Sequence, residues 1–246
     1  MELRINQALH IEKLPHEDPE ISVFQVDDFL ANPETLMDFA FEHAYFGAVG
    51  NDRTAYPGIR DRLPKPYERV LSRLLELVYG ESSPIIHRCM LSLTTLTPDT
   101  LRLAQKMPHV DTFDDEQFAA VHYLCDPPHG GTAIYRYRPE GQVRLRAEQR
   151  HLLDTMLAGI KNSPDEHNGY LTGDTSLFKQ ELTVAARFNR LILYPSNLLH
   201  CAILNNSRSL SPNPHTGRLT VASFFRLDSG SRQTQEGGRS PLGGGN

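Results

Sequence analysis

The spacing of apolar residues divides the chain into a helical first part and a strand-rich remainder. Asn32, Pro33 and Glu34 predict a helix start, because a capping side chain is followed by proline at the first helical position. A second amphipathic stripe predicts a helix over about 66–79 that closes at Gly80. From residue 85 the apolar period changes to two, which predicts a half-buried strand. The alternating residues of this strand are Ile85, His87, Cys89, Leu91 and Leu93.

Most of the remaining chain also has the pattern of strands, predicted at 118–125, 132–137, 182–188, 191–194 and 219–225. Pro127, Pro128, Gly130 and Gly131 indicate a hairpin between the first two of these strands. One helix is predicted among the strands, over about 144–160. The pattern therefore predicts a mainly β fold with flanking helices, built on a double-stranded β-helix (jelly-roll or cupin-like) core.

The length of 246 residues fits one large domain. We predict a single domain over 1–227, with a helical part at about 1–84 and the jelly-roll core at about 85–227. Residues 228–246 are rich in glycine, serine and glutamine, which predicts a flexible C-terminal tail.

Charge and cysteine content narrow the class of protein. The chain has 25 basic and 30 acidic residues, a net charge of −5, which disfavours nucleic acid and anionic membranes as partners. No apolar run has the length of a signal peptide core or a membrane span. The three widely spaced cysteines indicate free thiols in a reducing compartment. We therefore expect a cytoplasmic protein.

Two histidines and one aspartate are the candidate metal ligands. His109 and Asp111 are two residues apart, so in a strand both side chains lie on the same side and can bind one ion. A third ligand must then come from a distant strand, and His200 is the candidate. Two histidines and a carboxylate that leave other coordination positions open are typical of non-haem Fe(II) oxygenases.

A cosubstrate such as 2-oxoglutarate also needs a cation for its distal carboxylate. Arginine suits this role because its planar fork binds a carboxylate through two hydrogen bonds and stays charged. Arg218 is the candidate because it opens the apolar strand 219–225, and Thr220 shares its face of that strand.

These motifs together resemble the Fe(II)/2-oxoglutarate-dependent oxygenase superfamily, over roughly half the chain from Pro108 to Phe225. The resemblance is nearest to its prolyl-4-hydroxylase-like branch and to a bacterial group of unassigned function. It rests on His109-Val-Asp111, Val121-His-Tyr-Leu-Cys125 with Gly130-Gly131-Thr132, Leu199-His200 and Gly217-Arg218-Leu219-Thr220, and on the opening segment 26–34.

The resemblance implies a set of roles. His109, Asp111 and His200 would hold Fe(II), and Arg218 would bind the distal carboxylate of 2-oxoglutarate, with Thr220 and Tyr123 as further contacts. With O₂ as the second cosubstrate, the enzyme would hydroxylate an unactivated C–H bond of a small molecule, amino acid or peptide and release succinate and CO₂. Because Asp111 is present, hydroxylation is favoured over halogenation, and desaturation or ring formation are also open.

Several alternatives stay open at the level of sequence. Arg208 is a rival to Arg218, because members of the superfamily commonly place this arginine about ten residues after the second histidine and Arg218 follows His200 by 18. The arginine-rich segment 136–150 reads as a solvated helix face, or as a docking site for an anionic substrate or an acidic carrier protein. Tyr56, Arg60 and Arg62 form either a lid over the iron or an ordinary turn-rich segment.

Other functions use the same residues. A jelly-roll module could bind a metal or a 2-oxo acid without oxidising anything, and a zinc hydrolase could use the same His-Asp-His set. A nucleic-acid demethylase would need a second arginine shortly after Arg218. Arg226 lies eight residues on instead of the usual six, and the acidic net charge argues further against that function.

Overall fold

The computed structural model describes residues 1–52, 54–80, 83–206 and 210–228. Within these ranges the chain forms ten strands: β1 (His10–Lys13), β2 (Phe24–Asp27), β3 (Gly58–Arg62), β4 (Ser83–Thr94), β5 (Gln117–Tyr123), β6 (Gly131–Tyr137), β7 (Phe178–Ala185), β8 (Leu191–Pro195), β9 (His200–Ile203) and β10 (Arg218–Asp228). The α-helices are α1 (Glu34–Glu42), α2 (Lys65–Tyr79) and α3 (Leu152–Asn162). Short 3₁₀ turns occur at Pro98–Thr100, Leu103–Lys106, Pro127–His129 and Ala147–Gln149.

The strands form two antiparallel sheets. The large sheet has the order β1-β2-β8-β5-β10-β4-β3, and the small sheet has the order β7-β6-β9. An additional bridge pairs His109 with His200 beside β9, which extends the small sheet by one short segment. Along the chain, β4, this segment, β5, β6, β7, β8, β9 and β10 pass between the two sheets in the manner of a jelly roll. The predicted double-stranded β-helix core is therefore confirmed.

One helix packs on the outer face of each sheet. Helix α2 places Tyr67, Leu71 and Leu74 against the apolar face of β4. Helix α3 packs Met156 and Ile160 onto the outer face of the small sheet. Between the sheets lies an inner cluster that closes one end of the roll, formed by Ala119, Tyr123, Ile134, Val184, Ile192 and Tyr194 among others.

Strict alternation along the large sheet decides what faces the interior of the roll. Leu219 and Val221 of β10 point to the outer cluster under α2, so Arg218 and Thr220 point inward. Registered with them on β4 are Thr94 and Ser92, respectively, which also point inward. The inner face of this sheet therefore carries polar and charged side chains where a simple core would be apolar.

Two details differ from the sequence-based expectations. The predicted hairpin between 118–125 and 132–137 is wrong, because β5 lies in the large sheet and β6 in the small one. Gly130 makes this crossing at φ +99°, and a Cβ there would lie 1.8 Å from the carbonyl oxygen of Ile203. The third helix begins at Leu152 and not near 144, because Arg144 is held in an extended bridge with Leu198.

The short strands β1, β2, β3 and β9 are additions to the predicted elements. Within the described ranges, no helix combines the length and the apolar character that a membrane span requires. The predicted tail at 228–246 lies outside the described residues, apart from the last residue of β10. The division into one domain stays a prediction.

Candidate functional site

Main-chain pairing brings the three predicted metal ligands together. The amide of His109 donates to the carbonyl of His200, and the amide of His200 donates back to His109, both at 2.9 Å. The amide of Asp111 donates to the carbonyl of Ser196 at 2.8 Å. Main-chain hydrogen bonds thus pair two segments that lie far apart in sequence, and the three side chains lie close together.

The ligand atoms of this cluster fit one metal ion. His109 Nε2 lies 3.8 Å from Asp111 Oδ1, and His200 Nε2 lies 3.6 Å from Asp111 Oδ2. One donor atom from each residue lies within 4.8 Å of the others. A divalent ion binds such atoms at about 2.1 Å, so two ligand atoms lie about 3 Å apart at right angles and about 4.2 Å apart when opposite. The cluster therefore needs only a small contraction to close on an ion.

The tautomer of His200 is set by the main chain. Its Nδ1 lies 2.9 Å from the carbonyl oxygen of Leu198, and a carbonyl can only accept. Nδ1 therefore carries the proton, and Nε2 presents its lone pair to the cluster, as a metal ligand requires. The ring of Tyr194 packs against the His200 ring at 4.8 Å between centroids and holds its orientation.

The surroundings of His109 favour its neutral form, which is the form that binds metals. Burial lowers the pKa of His109, the nearby His200 and the charge of Arg60 lower it as well, and Asp111 opposes them. The His109 side chain is nevertheless 51% accessible. The cluster thus opens on one side to incoming molecules.

Arg218 lies in the interior of the same roll as this cluster. The residue is 3% exposed. Its Nη2 donates to the carbonyl of Gly131 at 3.0 Å, and Nη1 donates to Thr94 Oγ1 at 3.4 Å. Its Nε is buried without a hydrogen-bond partner. Among the described residues, no carboxylate forms an ion pair with Arg218. A buried cation without an acid is costly, and an incoming anion would relieve that cost.

Tyr123 and Thr220 lie in the same interior row, because their positions pair directly between β5 and β10. The Tyr123 hydroxyl donates to Thr132 Oγ1 at 2.7 Å, and the residue is fully buried. Burial raises the pKa of Tyr123 to about 12, while the charge of Arg218 acts to lower it. Thr220 Oγ1 donates to the carbonyl of Ser92 at 3.4 Å. The structure thus brings both residues to the neighbourhood of Arg218.

Arg60 was offered by the sequence either as part of a lid over the iron or as part of a turn-rich segment, and the structure places it on a strand. The segment around it reads as turn chemistry, yet residues 58–62 form β3 on the edge of the large sheet. Arg60 pairs with Ser92, which in turn pairs with Thr220, so all three share the inward face. The single sequence signal available was the alternation of Ile59 with its neighbours, which is too short to distinguish a strand from a turn.

The arginine-rich segment is tied to acidic residues of the same chain. Arg136 pairs with Asp18 and Glu181, and Arg138 pairs with Asp174. Arg144 and Arg146 share Asp115, and Arg146 also pairs with Glu20. These residues are placed on β6 and in the extended stretch after it, so they do not form a helix face. Docking of an acidic carrier protein there stays a prediction.

Asp115 links two segments of the site. It accepts from Arg144, from Arg146 and from Asn197 Nδ2, the last at 2.8 Å. Asn197 lies just before His200, and Asp115 lies just after Asp111. This network therefore holds the two segments that carry the candidate ligands in register. No pattern in the sequence predicted it.

Two further arginines complete the comparison with the sequence. Arg208, the rival to Arg218, lies outside the described residues. Arg226 lies at the far end of β10 and forms an ion pair with Glu116. The position of Arg226 thus offers nothing to the interior of the roll.

Comparison with known proteins places this arrangement among solved structures of low similarity. An α-ketoglutarate-dependent epimerase, SnoN of nogalamycin biosynthesis, is 15% identical with a TM-score of 0.47, over 84% of this chain and 79% of that one. The carbocyclase SnoK of the same biosynthesis is 13% identical with a TM-score of 0.48, over 84% and 80%. HygX from Streptomyces hygroscopicus, solved with nickel, 2-oxoglutarate and hygromycin B, is 15% identical with a TM-score of 0.46, over 85% and 84%. No curated protein matches.

The resemblance to the Fe(II)/2-oxoglutarate-dependent oxygenase superfamily is confirmed at the level of fold by the jelly-roll topology described above, whereas the prolyl-4-hydroxylase-like branch stays a prediction. The profile of one family matches residues 7–225, which is most of the chain. The chain belongs to that family, DUF6445, a family of unknown function.

Proposed function

We propose that this protein is a non-haem Fe(II)/2-oxoglutarate-dependent oxygenase that hydroxylates an unactivated C–H bond of a small molecule, amino acid or peptide. The observation that carries the proposal is Arg218, a cation that is 3% exposed and has no acidic partner among the described residues. It lies in the same roll as a His-Asp-His cluster that can hold one metal ion. A metal site alone fits many functions, but a metal site beside an interior anion receptor fits a 2-oxo acid cosubstrate.

The residues divide the work between metal and cosubstrate. His109, Asp111 and His200 would hold Fe(II) through two neutral imidazoles and one carboxylate. Arg218 would bind the distal carboxylate of 2-oxoglutarate, with its buried Nε as one donor of the fork. When bound, iron with 2-oxoglutarate and O₂ supplies the oxidising power for hydroxylation, with release of succinate and CO₂.

The surrounding side chains keep the interior dry and the ligands fixed. The inner cluster around Ile192 and Tyr194 excludes water behind the metal ligands, which strengthens the attraction between Arg218 and an anion. Main-chain bonds at His200 and the bond from its Nδ1 to Leu198 fix the orientation of the ring. The fold itself thus holds this candidate ligand in place.

The test measures binding and turnover separately. Purified protein loaded with Ni(II) is titrated with 2-oxoglutarate by calorimetry, and succinate formation is measured with Fe(II), ascorbate and O₂. We expect His109→Ala to lose metal binding and succinate formation, and Arg218→Gln to keep the metal but lose at least about tenfold in 2-oxoglutarate affinity. His10→Ala, a variant of an exposed histidine on β1, is the matched control and should behave as wild type.

Each alternative predicts a different result. Unchanged 2-oxoglutarate affinity in Arg218→Gln would contradict the proposal. A protein that binds metal and 2-oxoglutarate but never forms succinate with any metabolite screened would be a binding module. Activity that depends on zinc and ignores 2-oxoglutarate would identify a hydrolase.

A further inference from the structure

A second guanidinium lies inside the roll, on the strand that extends the large sheet beyond β4. Arg60 sits on β3 opposite Ser92, and its side chain is 10% exposed. Because β3 and β10 flank β4, and the two arginines differ by two positions in register, their Cα atoms are about 12 Å apart. The interior of the roll thus contains two separate cations.

The contacts of Arg60 use only one edge of its fork. Nη1 donates to Asp52 Oδ2 at 3.2 Å and to Thr54 Oγ1 at 3.3 Å. Nε is buried without a partner, and Nη2 makes no hydrogen bond to any described residue. The Nε and Nη2 pair is the edge that receives a carboxylate through two parallel hydrogen bonds. Asp52 therefore fixes the arginine in place while the binding edge stays free.

The ring of Tyr56 stacks against the guanidinium group of Arg60. The guanidinium carbon of Arg60 lies 4.0 Å from the centre of the Tyr56 ring, which is close stacking. The Tyr56 hydroxyl lies 2.8 Å from Thr94 Oγ1, and Thr94 in turn accepts from Arg218. Tyr56 and Thr94 thus lie between the two arginines and separate their guanidinium groups.

The two arginines are held toward different sides of the interior. Arg218 reaches across to Gly131 on the small sheet, whereas Arg60 is held by Asp52 and Thr54 in the loop before β3. Arg60 lies on the inward face of the large sheet, because it pairs with Ser92, which pairs in turn with Thr220. Asp52 meets only Nη1, so a cosubstrate carboxylate at Arg218 would leave the Nε and Nη2 edge of Arg60 open to a second anion.

We propose that Arg60, stacked on Tyr56, binds a carboxylate group of the primary substrate and so directs the reacting carbon toward the metal. This inference rests on the proposed oxygenase function and names the substrate class: a molecule with a free carboxylate close to the bond that is oxidised. Arg60 is then a specificity-determining residue, distinct from the cosubstrate site at Arg218.

The test uses a paramagnetic ion at the metal site, because such an ion relaxes the protons of a molecule that binds close to it. Protein loaded with Mn(II) and saturating 2-oxoglutarate is mixed with butyrate or with butyramide, and the relaxation of the probe protons is measured by NMR. Butyrate should relax faster than its neutral amide, and the enhancement should fall at least about tenfold in Arg60→Gln. Arg62→Gln removes the same charge from an exposed position of the same strand and should leave the enhancement unchanged.

Further measurements separate this inference from the proposed function. The affinity for 2-oxoglutarate should stay within about twofold of wild type in Arg60→Gln, whereas Arg218→Gln should lose it. If Arg60→Gln fails to fold, Arg60→Lys keeps the charge without the fork and should reduce the butyrate effect about threefold or more.

Five results would overturn the assignment. Equal relaxation of butyrate and butyramide would show that no anion is recognised, and wild-type behaviour of Arg60→Gln or Arg60→Lys would assign the anion elsewhere. Loss of 2-oxoglutarate in Arg60→Gln would place Arg60 in the cosubstrate site. If inorganic phosphate displaced butyrate at lower concentrations than a carboxylate needs, the group that Arg60 recognises would be a phosphate and not a carboxylate. A wild-type protein that binds neither Mn(II) nor 2-oxoglutarate would refute the proposed function itself, and this inference with it.

Discussion

His122 should make the stability of the protein fall as the pH drops from 7.5 to 5. Its ring is fully buried under α2, with Nε2 3.2 Å from Asn189 Oδ1 and Nδ1 3.3 Å from the Tyr67 hydroxyl. Asn189 is oriented by two bonds to the main chain of Leu30, so its Oδ1 must accept and Nε2 of His122 carries the proton. Tyr67 then donates to Nδ1, and the neutral ring is fully satisfied.

The magnitude follows from the shift in the pKa of this ring. Burial lowers the pKa of His122 to about 4 in the folded protein, although the bond to Asn189 acts to raise it. In the unfolded chain the value is about 6.5. Above pH 6.5 the ring is neutral in both states and costs nothing. Below it the unfolded chain takes up a proton that the folded protein refuses until about pH 4, so stability is lost as the pH falls. At pH 5 the loss is about 2 kcal/mol.

Urea unfolding at pH 7.5 and pH 5, at constant ionic strength and with chelator present, measures this loss. The comparison variant is His122→Gln, whose amide can make both hydrogen bonds but does not titrate. The quantity compared is the change in unfolding free energy between the two pH values, because the variant starts from a different stability. We expect wild type to lose about 2 kcal/mol more than the variant. An equal loss in both proteins would refute the assignment of a neutral buried His122.

Three further outcomes are expected. Gly130→Ala should lower the unfolding free energy by at least about 2 kcal/mol in urea titration, because the residue has a φ of +99° and a Cβ would meet a carbonyl oxygen of β9. Asp27→Asn should cost about 3 kcal/mol, because Asp27 and Arg190 form a largely buried bidentate pair, whereas Asp174→Asn, in an exposed pair, should cost less than about 1. The three buried cysteines should react with Ellman's reagent only after unfolding, since burial raises the pKa of Cys89 to about 12.

The grouping of the three candidate metal ligands could be predicted from the sequence because two of them obey a short-range rule. His109 and Asp111 are two residues apart, and a strand puts such residues on one side. The partner histidine could be predicted only through the jelly-roll order, in which His200 pairs with His109 through the main chain. The position of Arg218 followed in the same way, from the alternation along a long apolar strand.

The parts that escaped prediction depend on tertiary contacts. Strand β3 is five residues long and lies at a sheet edge, so its pairing with β4 decides its structure and its own residues do not. The supposed hairpin at Gly130 failed for a related reason. Turn residues show where the chain bends, but they do not show whether the next strand returns to the same sheet or crosses to the other.

Arg60 points into the roll but is carried by β3, which is not one of the eight segments that form the roll. This difference matters for substrate specificity. The candidate metal ligands and Arg218 are carried by segments of the roll itself, so they are fixed by the same pairing that makes the fold. Arg60 is carried by an added edge strand and is anchored by the loop that precedes it, through Asp52. Under the proposed function, changes in that loop can alter substrate choice while the main-chain pairing that holds the candidate metal ligands and Arg218 stays in place.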